Sequence, residues 1–153
     1  MSNGKEYYLI AKERLVKQLE NVDMYNSKVN TLLITCGVLI AFLGEIASRK
    51  GLILALGLLP IIIAVCILLW AYRIGEWQDT PNPKYIYSEL EKLTLEMEGF
   101  YKVATQDIVE CYQKNNEDID RKVKRINLSS LFLMLGIFFS IIGLVIYLFL
   151  LDP

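Results

Sequence analysis

The first group of this sequence that could do chemistry is an acidic side chain inside a long apolar run. Between Val29 and Ser48 the only charged residue is Glu45. If that run crosses a membrane, its carboxylate is costly to bury, and charges in such places usually serve a function. Glu45 also stands four residues before Arg49, within reach of an ion pair on one helical face. The sequence therefore leaves two roles open for Glu45, a pore group and a structural pair.

The remaining carboxylates do not form a recognisable catalytic or metal site. Glutamates at 89, 96, 98 and 110 could suggest a carboxylate-bridged metal bundle, but that architecture needs Glu-x-x-His pairs and the chain has no histidine. Neither a phosphate-cradling glycine loop nor a serine-nucleophile motif occurs. We therefore expect no catalytic residue, no metal and no cofactor, and the sequence does not indicate an enzyme.

Three cysteines are further groups with reactive potential. Cys36, Cys66 and Cys111 lie far apart, two of them in apolar stretches, and none belongs to a Cys-x-x-Cys pair. This spacing indicates neither a disulfide framework nor a metal knuckle. We expect all three to be buried as small apolar side chains.

The elements that must position these groups are three long apolar runs. Apolar residues make up 54% of the 153-residue chain, and they concentrate in residues 29–48, 52–72 and 128–151. A helix needs about 20 apolar residues to cross a hydrocarbon core of about 30 Å. The sequence therefore predicts an all-α membrane protein with three transmembrane helices, the first two joined as a tight hairpin by Arg49, Lys50 and Gly51. Pro60 near the middle of the second run is expected to kink it.

Basic residues predict the orientation of these helices. Residues 1–28 carry five lysines and arginines and residues 73–127 carry nine, whereas only Arg49 and Lys50 lie on the opposite side. This asymmetry predicts that both longer segments face the cytoplasm, with the C-terminal end outside the inner membrane. Trp70, Tyr72 and Trp77 fit an aromatic belt at the cytoplasmic interface.

Both cytoplasmic segments are predicted to be amphipathic helices. Apolar residues recur every three, four or seven positions along residues 1–28 and again between Leu90 and Cys111. Whether residues 84–150 form one helix or two is open, and we place a break at Asn115 and Asn116, where the next helix would begin with acidic residues. The apolar stripes can be covered only by one another or by further copies, which predicts a coiled-coil-like homo-oligomer.

A basic cluster directly before the third run is the best candidate for a ligand site. Arg121, Lys122, Lys124 and Arg125 are consistent with a topology determinant that contacts anionic lipid, and alternatively with binding of a phosphate-bearing ligand.

Small residues recur at helical spacing in all three runs. Gly37, Ala41 and Gly44 share the spacing of Gly136, Ser140 and Gly143, and a seven-residue repeat of small residues lies in the second run. Such residues let membrane helices approach closely. They are candidates for helix packing within one chain and for self-association, which the sequence does not distinguish.

The layout resembles the small membrane effectors of prokaryotic antiviral systems, namely the Pycsar transmembrane effectors and the SLATT group. The similar positions are Asp23, Ser27 and Lys28 before the first run, and Asn116, Glu117 and Lys122 before the third. Val29 departs from the alanine often found at that position in those groups. The resemblance implies a dormant protein that disrupts the inner membrane when a nucleotide or a partner binds.

Two functional hypotheses follow from these patterns. In one, several copies form a channel or membrane-disrupting effector, triggered through the cytoplasmic helices by a protein or a cyclic nucleotide. In the other, the chain is a non-conducting anchor that recruits a cytoplasmic partner. A transporter is disfavoured because three runs hold no inverted repeat. The expected partners are the lipid bilayer and further copies, whereas the net charge of −1 does not indicate nucleic-acid binding.

Overall fold

Three long helices make up almost all of the chain that the structure, a computed structural model, describes, namely residues 3–50, 55–73 and 97–150. They are α1 (Asn3–Lys50), α2 (Leu58–Tyr72) and α3 (Met97–Leu150). At 48 and 54 residues, α1 and α3 are about 70 and 80 Å long at the usual helical rise. Three helical segments are long and apolar enough to cross a membrane. This confirms the predicted all-α class and the three candidate spans.

The chain divides into two units. The first unit consists of Met1–Met24 and Gly75–Asp120, and the second consists of Tyr25–Ile74 and Arg121–Pro153. Each unit therefore contains part of α1 and part of α3, and α2 belongs to the second unit.

In the first unit, α1 packs against α3 along a mostly apolar line. Leu15 and Val22 of α1 are buried there, as are Ala104, Ile108 and Ile119 of α3. Polar and aromatic groups add specific contacts. The side-chain nitrogen of Gln18 donates a hydrogen bond to the Tyr112 carbonyl oxygen at 3.0 Å. The rings of Tyr8 and Tyr101 lie 5.7 Å apart.

In the second unit, all three helices contribute to one apolar core. Its buried members are Val29, Cys36, Leu43, Ile61, Ala64, Leu68, Ala71, Ile126 and Leu133. On α1 these buried residues follow one another every seven positions, a spacing that keeps one side of a helix against its neighbours. The opposite side of α1 is left exposed in this unit.

The predicted helix break at Asn115 and Asn116 is wrong, because α3 is continuous from Met97 to Leu150. Asn115 is only 1% exposed and lies on the buried side of α3, seven residues after Ile108. Tertiary packing of this kind overrides the weak local preference of asparagine for a helix end. Residues 84–96, in which the amphipathic helix is predicted to begin, lie outside the described ranges.

The sequence predicted a kink at Pro60 in the middle of the second helix, and this prediction is wrong. Residues 55–57 form a turn, α2 begins at Leu58, and its first backbone hydrogen bond runs from Ile61 to the Gly57 carbonyl. Pro60 therefore occupies the first turn, where backbone N–H groups have no partner within a helix.

The cysteines differ in burial, although all three are free thiols. Cys36 is buried in the second unit as expected, and Cys111 is partly exposed. Cys66 is exposed, so its predicted burial is wrong. It lies on the side of α2 away from the core residues Ala64 and Leu68.

Candidate functional site

The exposed side of α1 in the second unit differs in composition from the exposed surface of the other helices. Between Val29 and Ser48, ten residues are exposed, and only three of them, Ile34, Val38 and Phe42, are large and apolar. We call these ten residues the outward face of α1. The other seven are Asn30, Thr31, Thr35, Gly37, Ala41, Glu45 and Ser48.

The matching part of α3 has the composition expected of a surface in contact with acyl chains. Twelve residues between Leu128 and Phe149 are exposed, and all twelve are large and apolar. The exposed residues of α2 are likewise mostly large and apolar. Because lipid tails offer no hydrogen-bond partners, small and polar residues are not the expected choice for a lipid-facing side.

The hydroxyl groups on the outward face do not by themselves exclude contact with lipid. Thr31 and Thr35 each donate to the backbone carbonyl four residues earlier, at 3.0 and 2.9 Å. Ser48 donates to the Glu45 carbonyl at 2.8 Å. Each hydroxyl proton is therefore satisfied within α1. The distinctive features of the outward face are its small residues and its carboxylate.

The small residues of α1 and α3 are used differently. A Cβ added to Gly37 or Gly44 would meet no atom within 4 Å. A Cβ added to Gly136 would lie 2.4 Å from a side-chain carbon of Ile61, which shows that α3 and α2 are in close contact there. Gly136 therefore packs within the chain, whereas Gly37 leaves space for something outside it.

The other predicted packing residues on α3 also lie within the second unit. Ser140 donates to the Gly136 carbonyl at 2.8 Å, and its Oγ would lie 1.9 Å from a Cβ added to Gly57. Gly143 is buried and Gly44 is partly buried. The structure thus assigns Gly136 and Ser140 to packing between α2 and α3, which the sequence did not distinguish from self-association.

Glu45 is exposed on the outward face, one helical turn after Ala41 and two after Gly37. These three positions lie on one side of α1 because they are separated by four residues each. The side chain of Arg49, the partner suggested by sequence, lies outside the described part of the molecule. The carboxylate thus shares a helical side with residues small enough to admit a neighbouring helix.

The four residues of the basic cluster differ in burial. Lys122 is 1% exposed, and its Nζ donates a hydrogen bond to Oδ1 of Asn26 on α1. Burial lowers the pKa of this amine below its ordinary value of 10.5. Lys122 is therefore directed toward α1, whereas its neighbours Arg121 and Lys124 are exposed.

Arg125 is held against the end of α2. Its guanidinium carbon lies 3.6 Å from the centre of the Trp70 ring, and Nη1 donates to the Trp70 carbonyl at 3.2 Å. The sequence indicated that Trp70 and Arg125 both belong near an interface, but it could not reveal their contact. Asn26, the partner of Lys122, was likewise missed, because no spacing relates residues about 100 positions apart.

A groove of about 500 Å³ lies in the first unit. Tyr7 of α1 and Tyr101, Lys102 and Thr105 of α3 line it, so it offers aromatic faces, a hydroxyl and a cation. Across residues 3–50, 55–73 and 97–150, no three cysteine or acidic side chains are placed to hold a metal ion.

No protein-family model, curated protein or solved structure matches this chain. No relative therefore assigns it an activity, and the outward face of α1 is the feature from which a function can be argued.

Proposed function

We propose that several copies of this chain assemble in the cell's inner membrane into a channel-like effector, with the outward face of α1 turned toward neighbouring copies. The observation that carries the proposal is the contrast between that face and the uniformly apolar exposed side of α3. A carboxylate is costly on a helix side that faces lipid, and small residues favour contact with another helix.

Assembly gives each part of the outward face a role. Gly37 and Ala41 allow close approach of a second helix, which strengthens packing where the hydrophobic effect is absent. Glu45 of several copies would form a ring of carboxylates near one end of the spans. Such a ring attracts cations and repels anions, so the resulting path should prefer cations.

A trigger is also part of the proposal. The groove beside Tyr7 and Tyr101 is where a cytoplasmic partner or a cyclic nucleotide could bind, by stacking on the rings and pairing with Lys102. The resemblance to prokaryotic antiviral membrane effectors supports a dormant state that is released by such binding. In that case the role in the cell is antiviral defence.

Oligomer mass in mild detergent tests the assembly. The unmodified protein should be a homo-oligomer, and Gly37→Leu should reduce its mass because the added side chain fills the space left for a neighbouring helix. Val145→Leu adds bulk on the apolar exposed side of α3 and should leave the mass unchanged. An unmodified protein that is a monodisperse monomer contradicts the proposal.

Planar-bilayer recordings test the conducting role. The assembly should conduct and prefer cations, and Glu45→Gln should abolish the preference while leaving oligomer mass unchanged. Glu13→Gln removes an equal charge from the exposed pair with Lys17 in the first unit and serves as the control. Absence of conductance under every triggering condition, including added cyclic nucleotides, would rule out a channel.

A non-conducting anchor is the second candidate, and one observation favours it. Leu9, Val16 and Met24 are exposed on the α1 segment of the first unit, where a cytoplasmic partner protein could cover them. An intact oligomer that never conducts but retains a bound partner would support this function.

A further inference from the structure

Charge is distributed unevenly within the second unit. Among its described residues, Lys28, Arg73, Arg121, Lys122, Lys124 and Arg125 are basic and lie toward the end where α2 terminates. The one carboxylate among them is Glu45, which follows Lys28 by 17 residues on α1 and is therefore about 25 Å away along the helix axis.

One of these basic groups contacts Trp70, and a second follows it closely on α2. The guanidinium carbon of Arg125 lies 3.6 Å from the centre of the Trp70 ring, and one of its N–H groups donates to the Trp70 carbonyl oxygen. A guanidinium carries five N–H donors in a flat fork, so most of its donors remain for an anion at the edge of the stack. Arg73 follows Trp70 by three residues, which places it on the same side of α2, and it is exposed.

Trp70 itself is well placed to border a lipid. Trp70 is 60% exposed although Arg125 covers one face of its ring, and Leu69 beside it is 55% exposed. Tryptophan favours the level of the headgroups, where its ring contacts acyl chains and its polar edge remains near water. The basic groups and the exposed apolar groups at the end of α2 therefore match the two parts of a phospholipid.

We propose that Trp70, Arg73 and Arg125 form a binding site for the phosphate group of an anionic phospholipid. The guanidinium groups would donate to the phosphate oxygens, and the exposed apolar surface below Trp70 would border the acyl chains. This inference rests on insertion of the second unit into a membrane. It does not depend on assembly or conduction.

Quenching of Trp70 fluorescence by bromine-labelled lipids tests the site. Trp77→Phe leaves Trp70 as the only tryptophan, and this variant is reconstituted in phosphatidylcholine vesicles containing brominated phosphatidylglycerol or brominated phosphatidylcholine. At the same mole fraction, we expect brominated phosphatidylglycerol to occupy the site several-fold more often than brominated phosphatidylcholine, and therefore to quench Trp70 more strongly. Equal quenching by the two lipids at the same mole fraction would overturn the proposal.

Substitutions separate the site from general charge. Arg125→Gln should reduce the preference for phosphatidylglycerol to near one, whereas Arg125→Lys, which keeps the charge but loses the flat fork, should retain part of it. Lys12→Gln removes an equal charge from an exposed position in the first unit and should leave the preference unchanged. An equal loss in the Lys12 variant would show that overall charge, not this site, selects the lipid.

Two further arms complete the test. Arg73→Gln leaves the stack of Arg125 on Trp70 in place, so it should lower the preference even if Arg125→Gln loosens the packing of α2. Soluble glycerol phosphate distinguishes a lipid from a free phosphate compound and should not relieve quenching by brominated phosphatidylglycerol. Relief at millimolar concentrations would reassign the site to a soluble ligand and overturn the lipid proposal.

Discussion

The Nζ of Lys122 on α3 donates a hydrogen bond to the Oδ1 of Asn26 on α1, at a position where Lys122 is almost wholly buried. Burying an ammonium group is unfavourable unless polar partners compensate for its lost hydration. A pair of this kind permits few alternative alignments of the two helices, because a shift of either helix would separate its members. We therefore interpret the contact as one that specifies how α1 and α3 align.

Removing one partner of this pair should destabilise the fold more than removing both. Asn26→Leu leaves the Lys122 ammonium without its amide partner and should lower the free energy of unfolding by about 3 kcal/mol. The double variant Asn26→Leu with Lys122→Met removes the buried charge as well and should recover most of that loss. Denaturant unfolding in detergent, followed by helical circular dichroism, measures both. Equal destabilisation of the single and double variants would contradict the interpretation.

The stability contributed by Lys122 should depend on pH. Burial lowers the pKa of its amine in the folded state below the ordinary value of 10.5, so the unfolded chain binds more protons between the two values. The free energy of unfolding should therefore rise as pH increases toward 10.5, by at most about 1.4 kcal/mol per pH unit. Lys122→Met lacks this group, so the difference between the two proteins should change with pH. Parallel curves for the two would show that the pKa is not lowered.

Two glycine substitutions should have opposite effects. A Cβ at Gly57 would lie 1.9 Å from Ser140 Oγ and 2.3 Å from the Gly136 carbonyl oxygen, so Gly57→Ala should destabilise the second unit by about 1–3 kcal/mol. Gly37→Ala meets no atom within 4 Å and should be neutral or stabilising by up to about 1 kcal/mol. Unfolding is compared at protein concentrations too low for copies to associate. The reverse ranking would place the close contact between α2 and α3 in doubt.

Labelling of single cysteines tests the predicted orientation. In a cysteine-free background, a membrane-impermeant maleimide applied to intact cells should label Asp152→Cys but neither Lys12→Cys nor Gln113→Cys. All three should be labelled after lysis, which controls for reactivity, and both inner positions are exposed in the structure. Labelling of Gln113→Cys in intact cells would overturn the orientation inferred from basic residues.

The three spans could be predicted from the sequence alone. Whether a segment can cross a membrane depends on its length and apolar content, and neither property needs knowledge of its neighbours. The runs at 29–48 and 128–151 were identified in this way; α1 contains residues 29–48 and α3 contains residues 128–150. Glu45 could also be identified from the sequence, because it is the one charged residue in a long apolar run.

Tertiary structure decided which side of each helix faces its neighbours. Adjacent helical residues point about 100° apart, so Lys122 can be buried beside Asn26 while Lys124, two positions later, is exposed. The sequence could not show this, since either side of α3 could have met α1. The same reasoning applies to the glycines. Gly136 is enclosed because α2 lies against it, and Gly37 is open because no other described helix of the chain lies against it. The continuity of α3 through Asn115 likewise depends on packing that local preference does not contain.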